Sequence, residues 1–492
     1  ELSNSVKFLG VTLDNKLNFN QHITNITKKA TASLMQCKRA VGPTWGLTPK
    51  TCLWIYKATI RPILSYSSVI WINAIKKAMN TQKLKKVQRL ALGLASGAMP
   101  GTANISLDKL TDTPSIVNYL KGEAAKGAAR LKAYGDWSCE NNKNTKGSIH
   151  FHTTTNNNFL NTLNLPNLEF DLIKTRLTLH RKYQTEINDR SLHDQIINEL
   201  DNEFITCYTD GSKTEEGTGY GSTTTTNNNN IELNTQSSKL PDYCTVYQAE
   251  LTAITNAAAA LNIIANNKTI VFFTDSQSSI EALAKITMNS KTTLECHNAL
   301  NALSDTNTVH VKWIAGHEGH WGNEKADELA KKGTTSTNLT KGYLPQSLIK
   351  SKINQKVTEL DKQEWSEKGP SHCKKALNNK QTHIKNLRSI QQNRNDYRTA
   401  MHLLSGHAGL NSHLFKMRLT ETKICVACGE EDETVGHFLG KCPALYNIRL
   451  EIFHTHIIQP EEVFNHPLRK LIRFANKTKR LRFDPTKRDS VT

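Results

Sequence analysis

The sequence predicts an α/β fold in the middle of the chain, a mixed sheet with flanking helices, set between helical and basic segments. Three observations carry this. Apolar runs of strand length at 204–209, 269–274 and 309–314 alternate with Ala- and Leu-rich stretches of helical length. Two of those runs end directly in Asp, as Asp210-Gly211-Ser212 and Asp275-Ser276. Residues 15–107 contain no Asp or Glu but 14 Lys or Arg.

The chain has 492 residues, enough for about three domains at roughly 150 residues each. Lys+Arg total 63 against 44 Asp+Glu, a net charge of +19, with 37% hydrophobic and 22% charged residues. Such a chain can build cores, so wholesale disorder is excluded, and the charge favours a polyanionic partner. Ten cysteines are too few for a disulfide scaffold, and a reducing intracellular setting is expected. No run of 18 uncharged apolar residues occurs, so no membrane span is expected. The chain opens at Glu1 in mid-pattern, as a fragment of a longer polypeptide would.

Apolar residues Leu53, Ile55, Tyr56 and Ile60 follow helical spacing, with Pro49 at a helix start and Pro62 at a kink or boundary. The carboxylate-free stretch reads as a helical segment with one phosphate-facing basic side, and Lys76, Lys77, Lys83, Lys85 and Lys86 are its candidate nucleic-acid contacts. Asn/Thr-rich tracts at 142–144, 153–158 and 223–230 read as loops. From Phe204 the expected order is strand, strand, helix (246–264), strand, helix, helix (277–287 and 292–304), strand, helix (323–332). Residues 334–420 read as helical and basic. Within them Arg394, Tyr397, Arg398, His402, His407 and His413 fit either a nucleic-acid surface or an ordinary solvated helix. The end of the chain reads as a partly mobile basic tail.

Four acids stand out: Asp210 and Asp275 at strand ends, Glu250 early on the intervening helix, and Asp327 on the last helix, after Gly316-His317-Glu318-Gly319-His320. Strand ends in an α/β sheet open into one crevice. Like charges at ~4 Å repel by about 4 kcal/mol at an effective dielectric near 20. Grouped carboxylates therefore call for a divalent cation, and hard oxygen donors favour Mg²⁺.

The strings Tyr208-Thr209-Asp210-Gly211-Ser212, Gln248-Ala249-Glu250-Leu251, Phe273-Thr274-Asp275-Ser276-Gln277 and Gly316-His317 through Asp327-Glu328-Leu329-Ala330 resemble, in order, the motifs of type 1 ribonuclease H. The resemblance implies a ribonuclease H-like mixed sheet and hydrolysis of the RNA strand of an RNA–DNA hybrid with two Mg²⁺, or Mn²⁺ in their place. It implies that Asp210 bridges both ions, with Asp327 on the water side and Glu250 and Asp275 on the leaving side. It also implies that His317 assists proton transfer or product release, and that Gly211, Ser212 and Asn323 sit at nucleic-acid-binding positions. His320 reads as structural. Between Asp275 and His317 there is no room for the extra basic helix some members use to grip the hybrid.

Residues 6–14, Val6-Lys7-Phe8-Leu9-Gly10-Val11-Thr12-Leu13-Asp14, resemble the end of a non-LTR retrotransposon reverse transcriptase running into its thumb. The polymerase motif (Tyr/Phe)-x-Asp-Asp is missing from the 492 residues, so no polymerase activity is expected of this chain alone. Cys425-x₂-Cys428-x₈-His437-x₄-Cys442 has the spacing of a tetrahedral structural Zn²⁺ site. It resembles the knuckle that follows ribonuclease H in Jockey-like elements. The expected layout is a thumb-like region (1–100), a connector (101–200), the ribonuclease H domain (201–335), a basic helical linker (336–420), the knuckle (421–445) and a basic tail (446–492). The expected partners are an RNA–DNA hybrid, single-stranded nucleic acid and the rest of a reverse transcriptase. The rival readings are an inactive or repurposed copy that only binds nucleic acid, and a transposase or resolvase of the same fold.

Overall fold

The computed structural model describes residues 4–42, 45–134, 169–173, 177–187, 204–226, 231–316, 318–377 and 381–481. They fall into two compact units. Those up to Ala128 and from Ile353 onward form one, and those from Ala129 to Lys352 form the other.

The first unit opens with a hairpin, β1 (Ser5–Phe8) and β2 (Val11–Asp14), and is otherwise helical. The helix Asn20–Lys38 packs against the helix Ala78–Ser96. Pro49 begins the helix Pro49–Ile55, whose cap residue Thr48 accepts the Thr51 N–H. Pro62 does not break the chain's helical path. A π-helical turn, Tyr56–Ile60, precedes it, and a new helix, Arg61–Ser65, carries the proline near its start, where its missing N–H costs nothing.

Two expectations for this unit are corrected. The expected linker (336–420), from Ile353 onward, and the described part of the expected tail (446–492), up to residue 481, pack into this unit. The helix Arg394–Ser405 and the helix Leu468–Thr478 bury Tyr397, Met401, Leu471 and Phe474 in one core with Tyr56, Trp71 and Leu84. The His/Arg-rich helix is neither a nucleic-acid surface nor a solvated one: Arg394, Tyr397, Arg398 and His402 are all buried. Two of them, Arg394 and His402, turn polar atoms to backbone carbonyls. Arg394 donates to Leu94 O and Leu47 O, and the His402 ring bonds Gly97 O at 3.0 Å. Burial of such groups is tolerated because these bonds are made.

The second unit holds β3 (Leu177–Thr178), β4 (Gln184–Glu186), β5 (Ile205–Lys213), β6 (Thr218–Thr226), β7 (Ile231–Leu240), β8 (Thr269–Thr274), β9 (Thr287–Met288) and β10 (Thr308–Trp313). Six of them form one mixed sheet in the order β4-β10-β8-β5-β6-β7. β4, β10, β8 and β5 run parallel, and β5, β6 and β7 form an antiparallel meander. β3 and β9 pair separately.

Side chains alternate across the sheet. Cys207, Phe272 and Val311 face the helices Val246–Ile264 and Lys291–Leu303, in a core with Leu251, Ile254 and Leu300. Tyr208 and Phe273 face the other way, toward Ala326 on the helix Trp321–Thr334. Three expectations change here. β7 is an additional strand, which the polar sequence Ile231-Glu-Leu-Asn-Thr-Gln disguised. The expected connector contributes β4 to the edge of the sheet. The threonines of the 223–230 tract are not a loop: Thr223, Thr224 and Thr225 are buried in β6, and Thr225 Oγ1 lies 2.8 Å from Thr206 Oγ1. Threonine is β-branched and suits a strand, and cross-strand hydroxyl pairs satisfy it. Residues 227–230 and the tracts at 142–144 and 153–158 lie outside the described residues. Among the described residues no helix is long and apolar enough to cross a membrane.

Candidate active site

The last register pair between β5 and β8 is Thr209 with Thr274. Asp210 is the next residue on β5 and Asp275 the first residue beyond β8, so the two stand side by side at this end of the sheet. β5 continues past the end of β8, pairing only with β6, where Asp210 stands opposite Gly221. The Trp313 indole donates to Asp275 O at 3.0 Å and ties that strand end down.

Glu250 arrives from the helix Val246–Ile264. A reciprocal capping box starts this helix: the Thr245 hydroxyl accepts the Gln248 N–H, and the Gln248 side chain accepts the Thr245 N–H at 3.0 Å. Gln248 also donates to Tyr343 O at 2.9 Å. Gly211 lets the helix come close, since a Cβ there would lie 2.6 Å from Glu250 N. Gly221 does the same for the helix Trp321–Thr334, where a Cβ would meet Ala330 N at 2.4 Å.

One carboxylate oxygen from each of Asp210, Glu250 and Asp275 lies within 4.8 Å of the others. Asp210 and Glu250 are buried. Burial first, then the charges of Asp275 and Asp327, push the Asp210 carboxyl up to about 6. Burial, then Asp210 and Asp275, hold Glu250 well above the usual carboxylate range. The two share a hydrogen bond, and the Gly211 backbone partly offsets both shifts. The Thr274 hydroxyl donates to Glu250 Oε2 at 3.4 Å.

Asp327 is not part of the tight trio. It lies close enough to raise Asp210 electrostatically, but its Oδ2 takes the Lys331 ammonium at 2.7 Å, one helical turn on. His317 lies outside the described residues. His320 occupies the N-cap position of the helix Trp321–Thr334. Of the expected nucleic-acid contacts, Gly211 is buried beneath Glu250's helix, Asn323 is buried with its Oδ1 lacking a partner, and Ser212 is half-buried.

The five lysines do not form one stripe. Lys77 donates to Asn18 Oδ1 at 3.0 Å and Lys83 to Thr24 Oγ1 at 2.8 Å. Lys85 lines a separate cavity beside Asp108, and Lys86 is exposed. Lys83 and Lys86, three residues apart, share one face of the helix, and Lys85 points away from it.

The ligand atoms of Cys425, Cys428, His437 and Cys442 also lie within 4.8 Å of one another. The sulfurs of Cys425 and Cys442 are 3.8 Å apart, and Cys428 Sγ is 3.4 Å from His437 Nε2. Glu431 Oε2 stands 3.0 Å from His437 Nδ1. It was not singled out in the sequence; an acid inside a Cys/His cluster, placed to orient the imidazole, was the available signal. The fully buried Arg449 guanidinium donates to Leu439 O and Cys442 O and so fixes the end of the cluster.

The family model for RNase H matches residues 202–335. This chain contains a ribonuclease H domain. All four acids of the ribonuclease H motifs fall inside it, while the Cys/His cluster lies beyond it. Among curated proteins, the chain is similar to the RNA-directed DNA polymerase from mobile element jockey of Drosophila melanogaster. The two are 29% identical over 128 residues, covering 26% of this chain and 14% of that protein. A 115 kDa protein in type-1 retrotransposable element R1DM of the same species is 21% identical over 112 residues, covering 23% and 11%. The ribonuclease H of Rhizobium johnstonii is 51% identical over 39 residues, covering 8% and 26%. The chain thus spans a small part of each retrotransposon relative, and the ribonuclease H domain lies within a chain similar to proteins of the Jockey and R1 elements.

Proposed function

We propose that the ribonuclease H domain cuts the RNA strand of an RNA–DNA hybrid within a longer non-LTR retrotransposon polyprotein. The convergence of Asp210, Glu250 and Asp275 on one spot carries this reading. Three converging carboxylates, two of them pushed toward their protonated forms, are a donor set for hard divalent ions, and Mg²⁺ fits, with Mn²⁺ as a substitute. Asp210 would hold both ions, Glu250 and Asp275 the one on the leaving side, and Asp327 the one on the water side. Bound there, a metal pair activates water and stabilises the leaving oxygen of a phosphodiester.

The protein's own groups prepare the site. Burial and mutual repulsion push Glu250 and Asp210 toward their protonated forms, so a bound cation would favour their carboxylates. The Thr274 hydroxyl keeps Glu250 aimed at the two aspartates. Asp327 would have to give up its contact with Lys331 to serve as a ligand. His317 serves as the proton-handling or product-release residue. The same reading assigns a closed structural Zn²⁺ site to Cys425, Cys428, His437 and Cys442, in a module that holds single-stranded nucleic acid.

The test is cleavage of a labelled hybrid in Mg²⁺ by wild type and by Asp275→Asn. Cutting is expected to fall at least about a hundredfold, the scale of losing a group that stabilises transition-state charge, with hybrid binding retained. Equal cutting by both proteins would remove the catalytic role assigned to Asp275, and no cutting by either would return the chain to an inactive nucleic-acid-binding copy.

A further inference from the structure

Between the helices Asn20–Lys38 and Ala78–Ser96 lies a groove of ≈ 910 Å³. Its floor is aliphatic, built from Leu34, Met35, Val87, Leu90 and Leu94. On the second helix the lining positions 83, 86, 87, 90, 93 and 94 make a single stripe, with Arg89 at its edge. The pair therefore shares a face that the two helices leave incompletely covered, and Met35 remains 41% exposed. The rim carries Lys28 and Lys38 from one helix and Lys83 and Lys86 from the other, in a segment without a single carboxylate.

Gly93 adds an independent observation. A glycine inside a helix costs roughly 1 kcal/mol relative to alanine. Among the described residues nothing requires it at 93, because a Cβ there meets no atom within 4 Å beyond the helix's own backbone. Its effect is to leave bare backbone on the groove wall. Interaxial distances of 8–10 Å between packed helices depend on the side chains at the contact, so a bare position is where another helix comes closest.

The lining excludes a base-stacking platform, since no Phe, Tyr, Trp or His contributes to it. Sugar and phosphate gain little from an aliphatic floor, whereas apolar side chains gain about 25 cal/mol for each Å² covered. We propose that this groove docks an acidic amphipathic α-helix of another protein, with its Leu-like side chains on the floor and its Asp or Glu side chains against the lysine rim.

The probe is a fluorescein-labelled peptide of about 18 residues, long enough to be helical, with Leu at i, i+3, i+4 and i+7 and Glu on the opposite face. A scrambled peptide of the same composition and a single-stranded oligonucleotide are compared with it by anisotropy on the full chain. The amphipathic peptide is expected to bind at least tenfold more tightly than the scrambled one and to gain helical circular dichroism. Gly93→Leu, which fills open space, should weaken it at least tenfold with no fall in melting temperature. Lys86→Glu, at an exposed position, should weaken it similarly. Equal affinity for the two peptides would show bare charge attraction and overturn the proposal. So would unchanged peptide binding by Gly93→Leu, or a loss of oligonucleotide binding alone in either variant.

Discussion

Asp210 and Asp275 occupy equivalent positions on neighbouring parallel strands, each one residue beyond the Thr209–Thr274 pair. The register of the sheet alone therefore brings their carboxylates together. Asp275 is the first residue after β8, and the Trp313 indole holds its carbonyl in place. Glu250 and Asp327 come from helices packed on either side of β5, so the site depends on how closely those helices approach.

The first prediction concerns pH. Asp210 titrates near 6 in the folded protein, above the ordinary 3.8, so the native state holds this proton more tightly than the unfolded chain does. Without metal, the stability it contributes is complete below about pH 4 and is lost as pH rises through about 6. Mg²⁺ removes the repulsion that appears above that point. The difference in melting temperature between Mg²⁺ and EDTA should be larger at pH 8 than at pH 5. Equal differences at the two pH values would contradict the assignment.

Close helix approach yields a second prediction. Gly221→Ala places a methyl group 2.4 Å from Ala330 N and 2.6 Å from Ala326 O, and backbone cannot yield as a flexible side chain can. The helix bearing Asp327 must shift. A stability loss of about 1–3 kcal/mol is expected, together with a fall in cutting larger than the fall in hybrid affinity. Urea unfolding and steady-state kinetics would measure the two effects.

Lys331 and Asp327 give a third. The pair is partly exposed, where such contacts are worth up to about 1 kcal/mol. Lys331→Met should leave the fold intact and lower the Mg²⁺ concentration for half-maximal cutting by up to about fivefold. A higher Mg²⁺ requirement in the variant would show that the lysine assists the site instead of competing for Asp327.

The Cys/His cluster gives a fourth. Cys428→Ser should release Zn²⁺, read by elemental analysis of the purified chain. Glu431→Ala should keep the metal but weaken its affinity roughly 10–100-fold, the usual cost of losing the group that orients a histidine ligand. Metal content unaffected by Cys428→Ser would show that the four residues do not hold it.

Much of the site was readable before the structure because its residues sit in local patterns. An apolar run ending in Asp marks a buried strand reaching the edge of the sheet, and Ala/Leu periodicity marks the helix that carries Glu250. What escaped was structure written in polar letters. β4 is three residues, Gln-Thr-Glu, and β7 is largely polar, so neither has an apolar run to reveal it. The buried helix with Arg394, Arg398 and His402 carries the composition of a surface, and only its bonds to backbone carbonyls from distant residues show otherwise.

By itself the sequence determined the four acids, the Cys/His spacing and the alternation of elements that make a mixed sheet, because each is a relation among residues near in the chain. Tertiary structure alone decided that Asp327 stands apart with Lys331, that Lys85 parts from Lys83 and Lys86, and that residues after 353 join the core of the N-terminal helices. Those outcomes depend on which surfaces meet across hundreds of residues, and the free energy of that choice comes from packing and solvent exclusion, which no local pattern records.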